Sequence, residues 1–298
     1  MDVAVVGSLH LDIMVAAPRL PLRDETLIGN HWHYKCGGKG GNQAVAAAQF
    51  GGLTAFGGQT GIDDFGKRLR SNLLKAGVDI ACVDYERDQA SGMSVAITEA
   101  QGEYGAVVVS GANLAISPTK IVTAWKKLWQ AKILLLQNEI PEDVNIAAAK
   151  QVKLAGGKVM LNAAPARQMS KDLLDLVDIL VVNRIEAAML SEEEQPALAL
   201  SKLADLGKHV ILTRGSEGLM AQMADGRRFD IAALPIHMIS SHGAGDCFCG
   251  ALAARLAGGE EFERACHFAN AAAGLVVSTS EAERDTLSVA DVEGALTY

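Results

Sequence analysis

The sequence predicts an α/β protein with a mostly parallel sheet that helices cover on both faces, and a smaller β-sheet beside it. Three observations lead to this fold class. Short apolar runs alternate with helical stretches along most of the 298 residues. Two other regions have strand character without a long helix signal. Hydrophobic residues make up 49% of the chain, which is enough to bury a large core in one or two domains.

Five apolar runs are predicted as buried parallel strands, because each is short, nearly all apolar and ends at a polar residue or a glycine. They are VAVVG at 3–7, KILLLQ at 132–137, KVMLNA at 158–163, DILVVN at 178–183 and HVILTRG at 209–215. Helical stretches lie between them at 141–157, 170–177 and 196–207. Ligands of such sheets bind beyond the carboxyl ends of the strands, so the polar residues there are the first candidates for function.

The smaller sheet is predicted from residues 13–36 and about 88–110. The stretch SGMSVAITEAQGEYGAVVVSGAN at 91–113 has the pattern of two strands joined by a turn at Gln101-Gly102-Glu103. We expect a small, mostly antiparallel sheet that projects from the main domain. Such a sheet could cover a site, pair with another subunit, or do both.

Composition excludes several classes of function. The net charge of −8 and the lack of a basic run argue against nucleic-acid binding. The N-terminus MDVAVVGSLHLD is unlike a signal peptide, and no apolar stretch of about 18 residues predicts a membrane span. Five cysteines without a CxxC pair indicate a reducing compartment, so we expect the cytoplasm. The histidines show no metal-ligand spacing.

The stretch SHGAGDCFCGALAARLAG at 241–258 is the first candidate site. Gly243, Ala244 and Gly245 come just before Asp246 and a long apolar run. A helix that starts here would present unpaired N–H groups and a partial positive charge to an anion. Asp246 would suit a base that accepts a proton from an attacking hydroxyl. The alternative is an ordinary glycine turn with an aspartate cap. Neither a P-loop nor a GxGxxG fingerprint is present, which disfavours a dinucleotide-dependent oxidoreductase.

Four further stretches accompany GAGD in a fixed order. They are VVGSLHLD with Asp12, CGGKGGNQAVAAAQFG at 36–51, NRIE with Asn183 and Glu186, and LTRGSEG with Thr213. Together they resemble the ribokinase-like (PfkB) family of carbohydrate and nucleoside kinases, from about residue 3 to about residue 290. The resemblance implies a three-layer α/β/α sandwich, with residues 1–298 as a single kinase domain. It also implies that the small sheet is a lid, which forms dimers in many relatives.

The resemblance implies ATP-dependent phosphorylation of a primary hydroxyl of a small sugar. D-ribose, giving ribose 5-phosphate, is favoured because GGKGGNQAVAAA, NAAPAR at 162–167 and SGAN at 110–113 are close to the pattern of the family's ribose kinases. A nucleoside kinase of the same fold and a non-catalytic sugar-binding regulator remain alternatives. Magnesium is the expected metal, and a homodimer through the lid is the expected assembly.

Site roles follow from the same resemblance. Asp246 matches the general base, and the N–H groups of Gly243, Ala244, Gly245 and Asp246 match the anion hole. The sugar-holding set is His10, Asp12, Gly38, Lys39, Asn42 and Glu139. Asn183 and Glu186 match residues that orient magnesium through water, although their three-residue spacing is also that of a helix capping box. The nucleotide side is Asn183, Thr213, Gly215, Gly218 and Asn270.

Two departures from the family pattern affect these expectations. The chain has Ser240-Ser241-His242 where the family commonly has Asp-Thr-x, and STSEAERDT at 278–286 lacks the usual Gly-Ala pair. A potassium site is therefore doubtful, and we expect weak or absent activation by potassium. His10 stands where ribose kinases carry asparagine, so a changed sugar or a nucleoside is plausible. Trp32 and Tyr34 on the lid could stack on a base, but packing within the lid is favoured.

Overall fold

The strands form two sheets in this computed structural model, which describes residues 1–99 and 104–296. In chain order the strands are β1 (Val3–Val6), β2 (His10–Ala16), β3 (His31–Gly37), β4 (Thr54–Gly61), β5 (Asp79–Glu86), β6 (Gly92–Thr98), β7 (Tyr104–Val109), β8 (Ile133–Leu136), β9 (Lys158–Asn162), β10 (Ile179–Asn183), β11 (His209–Thr213), β12 (Leu219–Gln222) and β13 (Arg228–Ile231). The main sheet has the order β13-β12-β11-β10-β9-β8-β1-β4-β5. From β11 to β5 every neighbouring pair is parallel, and β12 and β13 turn back antiparallel.

The helices lie in the two outer layers. They are α1 (Lys39–Gln49), α2 (Asp64–Lys75), α3 (Pro118–Ala124), α4 (Glu142–Leu154), α5 (Lys171–Leu174), α6 (Arg184–Ser191), α7 (Pro196–Ala204), α8 (Ala244–Ala257), α9 (Phe262–Ser278) and α10 (Val289–Ala295). Side chains alternate across the sheet, as in any strand. Val3 and Val5 of β1 face a core shared with α1, α8 and α9, whereas Ala4 and Val6 face a core shared with α3, α4 and α7. The predicted three-layer sandwich is therefore confirmed.

The predicted helices end earlier than their sequence patterns. The helix expected over 141–157 stops at Leu154, because Gly156 has φ +85° and leaves the helical region. The helix expected over 170–177 is the single turn α5, with the Ser170 side chain accepting a hydrogen bond from Leu173 N–H. The helix expected over 196–207 ends at Ala204, and Gly207 follows with φ +75°.

The small sheet has the order β3-β2-β6-β7 and stands apart from the main one. Its β2–β3 and β6–β7 pairs are antiparallel and its β2–β6 pair is parallel, as expected for a mostly antiparallel sheet. The first strand begins at His10 rather than at residue 13. The predicted turn at Gln101-Gly102-Glu103 lies outside the described residues. Across residues 1–99 and 104–296, no helix has both the length and the apolar character needed to cross a membrane.

Candidate active site

Two neighbouring cavities open at the carboxyl edge of the main sheet, where β1, β8, β10 and β11 end. The larger, of about 720 Å³, extends towards the small sheet, and the smaller, of about 400 Å³, lies over β10 and β11. Lys39, Gly243 and Asp246 line both cavities. Any group transferred between molecules in these cavities would pass these three residues.

The N-terminus of α8 forms the floor between the cavities. Gly243 caps the helix in the left-handed region with φ +83°, a conformation that favours glycine. Gly245 has no such backbone requirement, and a Cβ added there would meet no protein atom within 4 Å. The space beside the first turn is therefore open to a ligand. The N–H groups of that turn and the helix dipole would favour an anion in it, although the Ala244 N–H also donates to Ser241 O at 3.4 Å.

Asp246 is buried at the start of α8, and both of its carboxylate oxygens are held by amides. Asn42 Nδ2 donates to Oδ2 at 2.9 Å, and Gln43 Nε2 donates to Oδ1 at 3.0 Å. Burial raises the pKa of Asp246, while the charge of Lys39 and the two amide hydrogen bonds oppose the rise. The carboxylate is thus fixed in position, faces both cavities and has lone pairs left to accept a proton.

Gln43 is a site residue that the sequence analysis missed. It is buried, and its Oε1 accepts a hydrogen bond from Gln137 Nε2 at 2.7 Å. Gln43 therefore links Asp246 to Gln137, which directly follows β8. Glutamine is mostly exposed in proteins, and nothing in the sequence around Gln43 indicates that this one is buried.

The N-terminus of α1 is built by close backbone contact with the segment after β1. Gly38 caps α1 with φ +85°, and a Cβ there would lie 2.8 Å from His10 N. Lys39 N–H donates to Glu139 Oε2 at 2.8 Å, and Ser8 Oγ donates to the same oxygen at 2.5 Å. Glu139 therefore anchors the start of α1 as well as lining the larger cavity, and Ser8 is a second residue that the sequence analysis missed.

The polar wall of the larger cavity contains the residues that the sequence analysis assigned to a sugar: His10, Asp12, Gly38, Lys39, Asn42 and Glu139. Burial raises the pKa of Asp12, and its Oδ1 accepts a 2.5 Å hydrogen bond from Ser94 Oγ, a further residue missed from the sequence. His10 is buried with its Nδ1 3.8 Å from Glu139 Oε2. Carboxylates and amides of this kind bind hydroxyl groups in pairs.

Asn183 and Glu186 form a helix capping box and also line the smaller cavity. Glu186 N–H donates to Asn183 Oδ1 at 2.9 Å, and Asn183 N–H donates to Glu186 Oε2 at 2.8 Å. Burial raises the pKa of Glu186, opposed by these hydrogen bonds and by the charge of Lys39. The capping interpretation is therefore correct, and the oxygen atoms remain beside the same cavity as Thr213. The described residues include no group of three or more His, Cys, Asp or Glu side chains arranged to hold a metal ion.

The remaining nucleotide-side residues lie apart from both cavity linings. Gly215 has φ +61° and Gly218 has φ +84°. A Cβ at Gly218 would lie 1.9 Å from Ile231 O, so the hairpin requires glycine there regardless of any ligand. Asn270 Nδ2 donates to Ala232 O at 2.8 Å, which ties α9 to the segment after β13. The structure groups Thr213 with the cavity, and Gly215, Gly218 and Asn270 with the fold around it.

The aromatic residues of the small sheet pack against each other and against α2. The Trp32 and Tyr34 rings meet edge to face at 5.0 Å, and Tyr34 meets Phe65 at 5.8 Å. Arg68 lies over the Tyr34 ring at 4.9 Å. The structure shows packing within the small sheet, which is the interpretation favoured from the sequence for Trp32 and Tyr34. Tyr34 also reaches the edge of the larger cavity.

Comparison with known proteins agrees with this geometry. The pfkB family of carbohydrate kinases matches residues 1–288. A protein named ribokinase from Bacillus subtilis is 33% identical over 283 residues, covering 95% of this chain and 94% of that protein. The structure of Arabidopsis thaliana ribokinase complexed with ribose and ATP superposes with a TM-score of 0.91 at 31% identity, covering 100% of this chain and 99% of that one. The Thermotoga maritima ribokinase structure also gives 0.91, at 28% identity, with 100% and 99% coverage.

Proposed function

The chain belongs to the pfkB family of carbohydrate kinases, and we propose that it transfers the γ-phosphoryl group of ATP to the primary hydroxyl of D-ribose, giving ribose 5-phosphate and ADP. The observation that carries the proposal is the position of Asp246. It is buried, faces both cavities and stands at the open N-terminus of α8. The names of the relatives and the ribose and ATP of the Arabidopsis complex support this choice of substrates.

In the proposed reaction the sugar occupies the larger cavity and the nucleotide phosphates the smaller one. Asp12, Asn42 and Glu139 hold the sugar hydroxyls, with His10, Gly38 and Lys39 beside them. Asp246 accepts the proton of the primary hydroxyl as the new bond from its oxygen to the γ-phosphorus forms. The bond from the γ-phosphorus to the bridging oxygen of ADP breaks at the same time. Phosphoryl transfer of this kind depends mainly on positioning and charge stabilisation.

The N–H groups of Gly243, Ala244, Gly245 and Asp246 stabilise the charge on the transferring group. The helix dipole of α8 adds to them, and Lys39, which lines both cavities, supplies a full positive charge. Thr213 lines the nucleotide side, with Gly215, Gly218 and Asn270 shaping the loop and helix behind it.

Magnesium fits the donor set of the smaller cavity. Asn183 and Glu186 offer amide and carboxylate oxygens there, and these oxygens already accept hydrogen bonds within the capping box. Magnesium keeps several waters, so we expect these residues to hold it through water. When bound, the metal neutralises charge on the nucleotide phosphates. The potassium requirement that the sequence analysis made doubtful is not part of this mechanism.

We also infer that the small sheet acts as a lid and pairs with a second copy of the chain in the cytoplasm. Support comes from its exposed apolar side chains, including Trp32, Val107 and Val108, and from the five free thiols. Light scattering of the purified protein tests the assembly: a mass near twice 31.3 kDa is expected, and a monomeric mass would contradict it.

A substrate panel tests the function. The protein is incubated with ATP, magnesium and either ribose, 2-deoxyribose, hexoses or nucleosides, and ADP release is followed. Ribose is expected to give the highest kcat/KM. A nucleoside is the second candidate, since Met14, Tyr34 and Val108 give the larger cavity an apolar wall; a nucleoside preferred over ribose would replace the proposal. A sugar that raises the melting temperature without turnover would indicate a binding protein instead.

A further inference from the structure

The guanidinium of Arg284 binds three backbone carbonyl oxygens beside the N-terminus of α8. Its Nη1 donates to His242 O at 2.8 Å, its Nη2 to Ser240 O at 3.1 Å and its Nε to Thr279 O at 3.1 Å. These carbonyls come from two segments, one directly before the Gly243 cap and one directly after α9. A single fixed positive charge therefore holds together the two segments that flank the candidate anion hole.

The backbone around Arg284 is itself anchored to the site. Gln49 Nε2 of α1 donates to Arg284 O at 2.7 Å and to Leu287 O at 2.9 Å. On the same segment, Glu281 pairs with Lys35 of β3 at 2.5 Å. The guanidinium is thus carried by a segment that contacts both the helix bearing Asn42 and the small sheet. These contacts fix the position of the Arg284 guanidinium.

Carbonyl oxygens that converge in this way are the ligands that a potassium ion takes from a protein. Arginine offers five donors in a planar fork and remains charged at every working pH. The charge of Arg284 also reaches the first turn of α8, where it opposes the burial that raises the pKa of Cys247 to about 12. A guanidinium at this place therefore puts one positive charge against these carbonyl oxygens, as a bound monovalent cation would, but it cannot dissociate.

We infer that Arg284 is a built-in replacement for a monovalent cation, and that it positions the 240–243 segment so that the anion hole at Gly243–Asp246 is formed without potassium. The inference rests on the proposed kinase function and deepens it, because it assigns the charge that orders the phosphoryl-binding turn. Arg284 is a positioning residue, since it touches the backbone that leads into the anion hole.

The experiment compares wild type with Arg284→Ala in potassium chloride and in tetramethylammonium chloride at equal ionic strength. Wild-type turnover of ribose should be the same in both salts within about twofold. In tetramethylammonium, Arg284→Ala should lose about tenfold or more in kcat, because hydrogen bonds from a charged group are stronger than neutral ones. Potassium should restore part of that loss, because it can occupy the freed carbonyl oxygens.

A control separates this role from a merely structural one. Arg255, also half-buried, holds Glu260 at the opposite end of α8. Arg255→Ala should lower the melting temperature without creating a response to potassium. Arg284→Lys keeps the charge but not the fork, and should show a smaller potassium response than Arg284→Ala; it provides the variant measurement if Arg284→Ala does not fold.

Melting temperatures give a readout that does not require turnover. Potassium, compared with tetramethylammonium, should raise the melting temperature of Arg284→Ala and leave that of wild type unchanged, because only the variant has an open cation site. Manyfold activation of wild type by potassium would overturn the inference. So would an Arg284→Ala protein that is slow in both salts and insensitive to potassium in melting. Absence of turnover by wild type on every sugar would overturn the proposed function instead, and the melting comparison would still decide the role of Arg284.

Discussion

Replacing Asp246 with asparagine separates catalysis from folding at the centre of the site. The substitution keeps the size of the side chain but removes its ability to accept a proton. A positioned general base typically contributes about 10²- to 10⁴-fold to a rate, so we expect kcat to fall by that factor. Sugar affinity should change less than kcat, because Asp12 on β2 and Glu139 in the segment after β8 still hold the sugar hydroxyls, and only Asn42 of the sugar-holding side chains contacts Asp246 directly.

The cost to stability can be worked out from the two hydrogen bonds of the carboxylate. Asn42 Nδ2 and Gln43 Nε2 both donate to Asp246, and an asparagine has only one acceptor oxygen. One buried donor therefore loses its partner, at a cost of about 1–3 kcal/mol. Removing a buried charge offsets part of that cost. With a net loss of about 0–2 kcal/mol, the melting temperature should fall by at most about 8 °C.

The assay couples ADP release to ribose phosphorylation and is run beside thermal unfolding. Asp205→Asn is the matched control, because Asp205 is exposed at the end of α7 and the substitution is chemically the same. An Asp246→Asn protein that retains more than about a tenth of wild-type kcat would refute the general-base assignment, since base catalysis is worth at least about 100-fold.

Three further predictions test the other parts of the site, and a fourth uses pH. Gly245→Ala and its control in α10, Gly294→Ala, should each leave the free energy of unfolding unchanged or raise it by up to about 1 kcal/mol. Only Gly245→Ala should lower kcat, by about tenfold or more. Thermal unfolding and initial rates of both variants check this. Asp12→Asn should raise the KM for ribose about tenfold with a smaller change in kcat, because the substitution removes a carboxylate oxygen that accepts a hydrogen bond from a sugar hydroxyl. A fall in kcat with no change in KM would contradict this. Glu186→Gln should raise the half-saturating magnesium concentration about tenfold while the amide oxygen keeps the cap, as a magnesium titration would show. Burial raises the pKa of Asp246 above the ordinary aspartate range, and only the carboxylate form accepts a proton. The kcat/KM of wild type should therefore fall as the pH is lowered through that pKa. A pH profile that is flat down to pH 4 would contradict this.

Strands of the main sheet could be predicted only where the buried residues are themselves large and apolar. The five predicted runs all became strands, as β1, β8, β9, β10 and β11. The fully buried β4 was missed because its sequence TAFGGQTG has three glycines in place of large apolar residues. The reason lies in packing across the sheet: a Cβ at Gly57 would lie 2.6 Å from Leu128 and 2.9 Å from Trp125. Neither neighbour is visible from the local sequence.

In the candidate site, too, the sequence predicted some residues and not others. The family resemblance that the ordered motifs carry was enough to propose Asp246, Asn42 and Glu139, but not the side chains that hold them. Gln43 reaches Asp246 across 203 positions, and Ser8 reaches Glu139 across 131. Pairings of that length are fixed only when the sheet assembles, so a single sequence contains no local signal for them.

The assembled fold also explains how an acidic protein can bind an anion. The net charge is −8, so the favourable potential must be local. Helices α1 and α8 both begin at the carboxyl edge of the sheet, and they cross closely because Gly250 has no side chain: a Cβ there would lie 2.5 Å from Gln43 O. The close crossing brings Asn42 and Gln43 to Asp246, and the positive ends of both helices line the larger cavity. Lys39 adds its charge at the start of α1. The attraction for phosphate therefore comes from how the helices pack. A larger residue at position 250 should push α1 away from α8 and so separate Asp246 from its amide partners Asn42 and Gln43.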